Sequence, residues 1–77
     1  MITKHRATYI DKTIGVNIRK LRKTLNITQE ALAQQLGMTY QQVQKYETGV
    51  NRVSASTLYE IARLMCVDFE IFFEGVE

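Results

Sequence analysis

Residues 38–49, MTYQQVQKYETG, form a run of side chains that could exchange hydrogen bonds with a ligand. The run holds three glutamines, one lysine and two tyrosines, and Val43 is its one branched aliphatic residue. A glutamine amide both donates and accepts hydrogen bonds, so it suits the recognition of a hydrogen-bond pattern. A helix that only filled a core would carry more Leu and Ile, and a merely solvated helix would carry more Glu and Lys. The run therefore indicates a recognition surface.

The charge of the chain is divided unevenly along its length. Residues 1–52 hold nine Lys or Arg against three acids, a net charge of +6, whereas residues 53–77 hold one Arg against five acids, a net charge of −4. A basic part joined to an acidic part indicates that a polyanion binds on one side. This distribution favours nucleic acid as a ligand.

The length and the cysteine count exclude several classes of protein. A chain of 77 residues is long enough for one small domain, to which dimerisation or a ligand could add stability. It has no apolar run of about 18 residues, so no membrane span is expected, and its N-terminus is too polar for a signal peptide. Cys66 alone cannot form an internal disulfide, which favours a cytoplasmic location, and its apolar neighbours predict a small core residue.

No catalytic or metal-binding constellation is visible in the sequence. One cysteine and one histidine, His5, cannot supply the familiar ligands of a zinc ion, so no metal and no cofactor are expected. No motif fixes a carboxylate pair, and no glycine-rich loop is present to bind a nucleotide phosphate. The chain is therefore predicted not to be an enzyme.

Apolar residues recur every three or four positions, which predicts an all-α fold. Residues 1–10 are expected to form an N-terminal arm, and residues 11–77 a single domain. Asp11 or Thr13 would cap a first helix that runs to about Leu25. The predicted apolar face of this helix consists of Ile14, Ile18, Leu21 and Leu25.

Two short helices with a glycine turn between them follow. Thr28 is predicted to cap a helix over residues 29–36, and Gly37 to end it in a left-handed conformation. Thr39 then caps a third helix over residues 40–47. This outline matches a helix-turn-helix, although generic helical hairpins share it. Further along the chain, a fourth helix is predicted to begin at a serine cap, and a last short turn with three phenylalanines at an aspartate cap; the cap residues are Ser54 or Ser56, and Asp68.

Several motifs together carry a resemblance to a known family. They are IRKLR at residues 18–22, TQEALA at 28–33, a glycine before the turn, Q.YE.G at 44–49, and L..IA at 58–62 followed by FF at 72–73. Over residues 14–74 the sequence closely resembles the DNA-binding domain of phage repressor and Cro proteins and of the wider XRE family of bacterial regulators. The resemblance implies an all-α, compact five-helix domain that contains a helix-turn-helix. It also implies a sequence-specific regulator that binds double-stranded DNA as a homodimer on an inverted-repeat operator.

In such folds the third helix enters the major groove, and its N-terminal residues meet the base edges. The resemblance therefore implies base contacts by exposed residues of the third helix, namely Tyr40, Gln41, Gln42, Gln44 and Lys45. Gln41 is the foremost candidate, because a glutamine can bond N6 and N7 of adenine together. A solvated polar face is the alternative for any single one of these residues. Val43 and Tyr46 are expected to face the core.

Phosphate contacts are implied for a second set of residues around this helix. Gln29 opens the second helix, where the family places a glutamine against a phosphate and where exposed helix-start amides would support the contact. The full set consists of Gln29, Thr39, Thr48, Asn51, Arg52 and Arg19, with Lys23, Lys4 and Arg6 as further candidates. Such contacts fix the register of the protein on the duplex and carry no sequence information.

Arg22 and Glu47 match two positions that members of the family often pair. The resemblance implies a partly buried ion pair that holds the third helix at its angle. It could also present the arginine toward a phosphate. Removal of either partner should lower the stability of the fold more than the loss of an exposed pair does, because the remaining charge is left buried without a partner.

The last predicted helix combines apolar side chains with acids, and its Phe69, Ile71, Phe72 and Phe73 are the predicted dimer surface. The alternative is that Phe72 and Phe73 close the core of the monomer. Phe69 and the long N-terminal arm depart from the family pattern, and either could serve dimerisation. A second functional hypothesis follows from the use of the same fold as an antitoxin in toxin–antitoxin pairs. In that case the acidic, aromatic C-terminal surface would bind a protein partner, and DNA binding would be autoregulatory.

Overall fold

The structure is a computed structural model that describes the backbone of residues 4–76 and the side chains of residues 8–76. Its elements are α1 (Lys4–Thr24), α2 (Gln29–Leu36), α3 (Tyr40–Thr48), α4 (Ala55–Met65) and a 3-10 helix (Phe69–Phe73). The predicted all-α class is confirmed, since the described residues contain no strand. The predicted fifth helix is a 3-10 helix of five residues, in line with the short lengths at which 3-10 helices occur. Along residues 4–76, no helix has the length and hydropathy needed to cross a membrane.

Helix α1 begins earlier than the sequence indicated. It starts at Lys4, so Asp11 and Thr13 lie inside it and neither is its cap. The predicted arm of residues 1–10 is therefore helical from residue 4 onward, and residues 1–3 lie outside the described residues. Long-range contacts hold this part of the helix, because the Tyr9 hydroxyl donates a hydrogen bond of 2.9 Å to the carbonyl oxygen of Gly75.

The predicted caps of the next three helices are present. Thr28 and Thr39 cap α2 and α3 with hydroxyl oxygens that accept the N–H three residues on, at 3.0 and 3.3 Å. Ser54, rather than Ser56, caps α4 in the same way at 3.1 Å. Gly37 ends α2 in the left-handed conformation, with a φ of 69°. Each cap involves only residues within one turn of the helix end. The sequence alone could therefore locate the ends of the short helices.

The hydrophobic core contains residues from all four α-helices and from the 3-10 helix. The buried apolar residues are Ile18, Leu32, Ala33, Val43, Leu58, Ile61, Ala62, Met65 and Phe72. The inner face of α4 follows the predicted helical spacing and supplies four of them. Asp68 occupies the N-cap position of the 3-10 helix but makes no side-chain cap hydrogen bond. That turn is held instead by Asn17, whose side-chain amide donates to the carbonyl oxygens of Phe72 and Glu74, both at 2.8 Å.

Of the two alternatives for Phe72, the structure supports closure of the core, because Phe72 has no exposed surface and is not part of a dimer surface. Two burial predictions were wrong. Leu25 is 44% exposed, because it lies at the end of α1 where the chain reverses at Asn26 with a φ of 58°. Cys66 is exposed rather than buried, because it ends α4 in the left-handed conformation and stands off the inner face of that helix.

Helices α1 and α3 approach each other closely at two glycines. A Cβ atom at Gly15 would clash with the carbonyl oxygens of Tyr46 and Glu47, and would lie 2.6 Å from the latter. Gly49 ends α3 with a φ of 80°, and a Cβ atom there would lie 2.9 Å from Lys12 Cα. Only residues without a side chain permit this separation, so the two glycines set how close α3 lies to α1.

Candidate nucleic-acid interface

Helix α3 presents one polar face to solvent. Its exposed residues include Tyr40, Gln41, Gln44 and Lys45, and Gln42 is half-buried. Val43 is 1% exposed and packs in the core, and Tyr46 is half-buried, as predicted for the inner face. Gln41 and Lys45 are one helical turn apart and share a side of the helix, as do Tyr40 and Gln44. The helix therefore carries two adjacent polar rows rather than one.

A cleft of about 350 Å³ lies between α1 and α3, beside the row that contains Gln44. Its described lining residues are Val16, Arg19, Lys20, Lys23, Gln29, Gln44, Glu47 and Thr48. Three of them are cations of α1, whereas the one acid among them, Glu47, is already paired with Arg22. The cleft therefore offers positive charge and amide donors to an anion, and we refer to it below as the basic cleft.

The structure brings only part of the predicted phosphate set together. Arg19, Gln29 and Thr48 lie in the basic cleft with Lys23, and Gln44, predicted to contact bases, joins them. Lys20, which also lines the basic cleft, is absent from the predicted phosphate contacts. A helical spacing of three and four residues from Val16 through Lys20 to Lys23 could have indicated that these side chains share a face.

The remaining predicted phosphate residues lie outside the basic cleft. Thr39 is occupied as the N-cap of α3, and Asn51 is exposed in the loop that follows α3. Arg52 is exposed in the same loop, and its Nε donates a hydrogen bond of 3.0 Å to Asp11 Oδ2. The side chains of Lys4 and Arg6 lie outside the described residues. The Thr48 hydroxyl lies within hydrogen-bond distance of the carbonyl oxygens of Gln44 and Lys45, at 3.1 and 3.3 Å.

Arg22 and Glu47 meet in a buried ion pair at the wall of the basic cleft. Arg22 Nε donates to Glu47 Oε2 at 2.7 Å, and Nη2 donates to Oε1 at 3.1 Å, which is a bidentate geometry. The two residues are 7% and 5% exposed. Arg22 Nη1 also donates to the Ile27 carbonyl oxygen at 2.9 Å, and Gln29 Nε2 donates to Glu47 Oε1 at 3.0 Å. The network therefore ties α1 and the first residue of α2 to the end of α3.

The four predicted dimer residues differ in how deeply they are buried. Phe72 lies in the core, whereas Phe69, Ile71 and Phe73 are half-buried on its outer side. The rings of Phe69 and Phe73 are tilted by 48° with centroids 5.4 Å apart. The neighbouring helix α4 exposes Tyr59 and Leu64, at 54% and 41%, which the sequence reading did not single out. We call the surface formed by Tyr59, Phe69, Ile71 and Phe73 the C-terminal face. Leu64 lies apart from it, beside Ala31 and Gln35 of α2.

Known proteins resemble this chain in both sequence and structure. A family model described as helix-turn-helix matches residues 18–72. An uncharacterized transcriptional regulator in the ATPase CF(0) region of Rhodospirillum rubrum is 44% identical over 69 residues, which cover 90% of this chain and 64% of that protein. The uncharacterized HTH-type transcriptional regulator y4wC of Sinorhizobium fredii is 42% identical over 72 residues, which cover 94% of this chain and 50% of that protein.

A solved structure shares the fold. The crystal structure of the restriction-modification controller protein C.AhdI from Aeromonas hydrophila matches with a TM-score of 0.75 and 26% identity, over 80% of this chain and 94% of that one. The chain spans between about half and two thirds of the length of the curated relatives named above.

Proposed function

The chain belongs to the helix-turn-helix family of XRE-type regulators, and from this premise we propose that it is a transcriptional regulator that binds double-stranded DNA in a sequence-specific manner. The observation that carries the proposal is the position of the basic cleft directly beside the exposed polar face of α3. Side chains that suit base edges and side chains that suit phosphates thus occupy one continuous surface. The relatives are named as transcriptional regulators, which favours this function over an antitoxin whose main partner is a protein.

Helix α3 is the proposed reading element. An α-helix with its side chains is about as wide as the major groove of B-DNA, so α3 can enter the groove with Gln41 foremost. The Gln41 amide would bond N6 and N7 of an adenine, and Lys45, one turn further, would reach guanine acceptors. Tyr40, at the helix start, would contact a thymine methyl group or a phosphate. Gln42 is half-buried, so it would reach a base edge only with its amide end.

The basic cleft is the proposed site for the DNA backbone. A phosphate beside α3 would be met by Arg19, Lys20 and Lys23 of α1 and by the side chain of Gln29. Because Glu47 is neutralised by Arg22, the anion would not meet an unpaired carboxylate there. Gln44 and Thr48, which line the same cleft, are proposed to contact the backbone rather than the bases.

Two copies of the chain are proposed to bind one operator. A single α3 reads one half-site, and helix-turn-helix dimers bind two half-sites about 34 Å apart along the duplex. The C-terminal face is the proposed contact between the copies, because its apolar side chains are partly exposed and none of them lines the basic cleft. Burial of such a patch would also remove an aggregation hazard. On this proposal the operator is an inverted repeat.

Selection of bound duplexes from a randomised pool, followed by sequencing and titration, tests the proposal. The expected result is an enriched inverted repeat whose half-site centres are about 10 base pairs apart. Gln41→Ala should lose about 1–3 kcal/mol and relax the preference at one base pair, whereas Gln35→Ala on α2 is the matched control. Lys20→Ala should weaken binding to every sequence and lower the slope of log K against log salt by about one. Folded protein that enriches no sequence would refute the proposal.

A further inference from the structure

An exposed ion pair connects α1 to the loop that follows α3. Arg52 Nε donates to Asp11 Oδ2 at 3.0 Å, across 41 residues of sequence. The Arg52 side chain is 75% exposed, whereas the Asp11 side chain is only 19% exposed. The carboxylate is therefore held against the body of the protein, and the guanidinium projects from it into solvent.

The backbone of the same loop is fixed to α1 by a second contact. Gly49 lies so close to α1 that a Cβ atom added to it would be 2.9 Å from Lys12 Cα. Lys12 is the neighbour of Asp11 in α1, so both contacts involve the same turn of that helix. The loop is further held by the Asn51 N–H, which donates to the Lys45 carbonyl oxygen at 3.1 Å. With its backbone fixed, the direction of the Arg52 side chain depends on the bond to Asp11.

The pair leaves the outer edge of the guanidinium available. Arginine carries five N–H donors in a planar fork, and Asp11 engages only Nε. Within residues 8–76, no hydrogen bond from Nη1 or Nη2 of Arg52 to another side chain or to the backbone is found. Two parallel N–H groups of this kind match two oxygens of a phosphate.

We propose that Asp11 is a positioning residue for DNA binding, which holds Arg52 with its Nη groups directed at a phosphate next to α3. The inference rests on the proposed function, since it requires a bound duplex. Asp11 is itself an acid within a part of the chain that carries a net charge of +6. Simple electrostatics therefore predicts that its removal tightens binding to a polyanion. Positioning predicts the opposite, because an untethered Arg52 must lose its rotamer freedom when it binds.

The experiment compares two variants that remove one negative charge each. Asp11→Ala removes the tether, and Glu60→Ala removes an exposed acid of α4 that lies outside the proposed interface. Dissociation constants for the selected duplex are measured by fluorescence anisotropy at two salt concentrations, and circular dichroism confirms that each variant is folded. Asp11→Ala is expected to bind about three- to fivefold more weakly than the unmodified chain. Glu60→Ala should bind equally or slightly more tightly.

A double variant identifies the route by which Asp11 acts. In an Arg52→Ala background, Asp11→Ala is expected to cause no further loss, because the side chain that it positions is gone. Asp11→Asn removes the same charge as Asp11→Ala but keeps an oxygen that can accept from Arg52 Nε. It should therefore retain part of the affinity that Asp11→Ala loses. Equal or tighter binding by Asp11→Ala would overturn the inference, as would a loss that persists without Arg52. Absence of binding by the unmodified chain would instead refute the proposed function.

Discussion

Removal of the Arg22 guanidinium should show how strongly the buried ion pair stabilises the fold. Arg22→Met keeps most of the aliphatic stem but takes two of the three hydrogen bonds from Glu47, leaving only the one from Gln29. The Glu47 side chain is 2% exposed, so water cannot replace the lost donors in place. Breaking a buried pair by removal of one partner costs about 3–5 kcal/mol. A domain of this size has a total stability of about 4–12 kcal/mol, so the variant would lose at least about a quarter of it.

The chain contains its own control for this substitution. Arg52→Met makes the same exchange in the pair with Asp11, in which the arginine side chain is 75% exposed. Exposed pairs contribute no more than about 1 kcal/mol, so this variant should be nearly as stable as the unmodified chain. Arg22→Met combined with Glu47→Leu should recover much of the loss, because no charge is then stranded in the interior.

Urea unfolding followed by far-ultraviolet circular dichroism measures these differences. The midpoint should shift strongly for Arg22→Met and little for Arg52→Met, with similar slopes for both. If Arg22→Met cost no more than Arg52→Met, the low exposure of Glu47 would not determine the strength of the pair, and the reasoning would be refuted. A double variant as unstable as Arg22→Met would show that the loss of the network, rather than the stranded charge, causes the destabilisation.

Two further substitutions test the backbone. Gly15→Ala should destabilise the fold by about 1–3 kcal/mol despite the higher helix propensity of alanine, because its Cβ would meet the carbonyl oxygens of Tyr46 and Glu47; an unchanged thermal midpoint would contradict this. Cys66→Gly should stabilise it by about 0.5–1 kcal/mol relative to Cys66→Ala, because Cys66 has a φ of 55°, which favours glycine. Equal unfolding free energies for those two variants would show that the left-handed residue is not strained.

The features that the sequence predicted well depend on chemistry within a few residues. A threonine cap and a left-handed glycine satisfy backbone groups of their own turn, so Thr28, Thr39 and Gly37 could be located without knowledge of the fold. The first turns of α1, by contrast, make contacts that local patterns do not contain. Tyr9 and Asp11 bond to partners 66 and 41 residues away, and nothing in residues 4–11 indicates those partners.

Cys66 shows that a local pattern can also be misread. Its apolar neighbours suggested a core position, yet the inner face of α4 is spaced by three and four residues through Leu58, Ile61, Ala62 and Met65. At about 100° per residue, Cys66 stands about 90° from the centre of that face, and it also ends the helix in the left-handed conformation. The helical periodicity of α4 therefore predicts the exposure of Cys66 correctly, whereas the apolar composition around it does not.

The residue types of the candidate interface were predictable, but their grouping was not. Gln44 was assigned to the bases because it belongs to α3, and its place in the basic cleft depends on how α1 packs against that helix. The spacing of α1 places Lys20 on one face with Val16 and Lys23, but the sequence does not show that this face lies beside α3. The separation and angle of two helices decide both assignments, and these are set by long-range packing.

Helix α1 fixes the position of α3. A helix of nine residues is too short to be stable by itself, so α3 takes its position from its neighbours. Helix α1 supplies the glycine that permits close approach, the arginine that bonds the end of α3, the aspartate that holds the following loop, and the cations of the basic cleft. Substitutions in α1 that preserve stability, such as changes at Lys12 beside Gly49, should therefore alter the affinity for DNA even though no residue of α1 is proposed to touch a base.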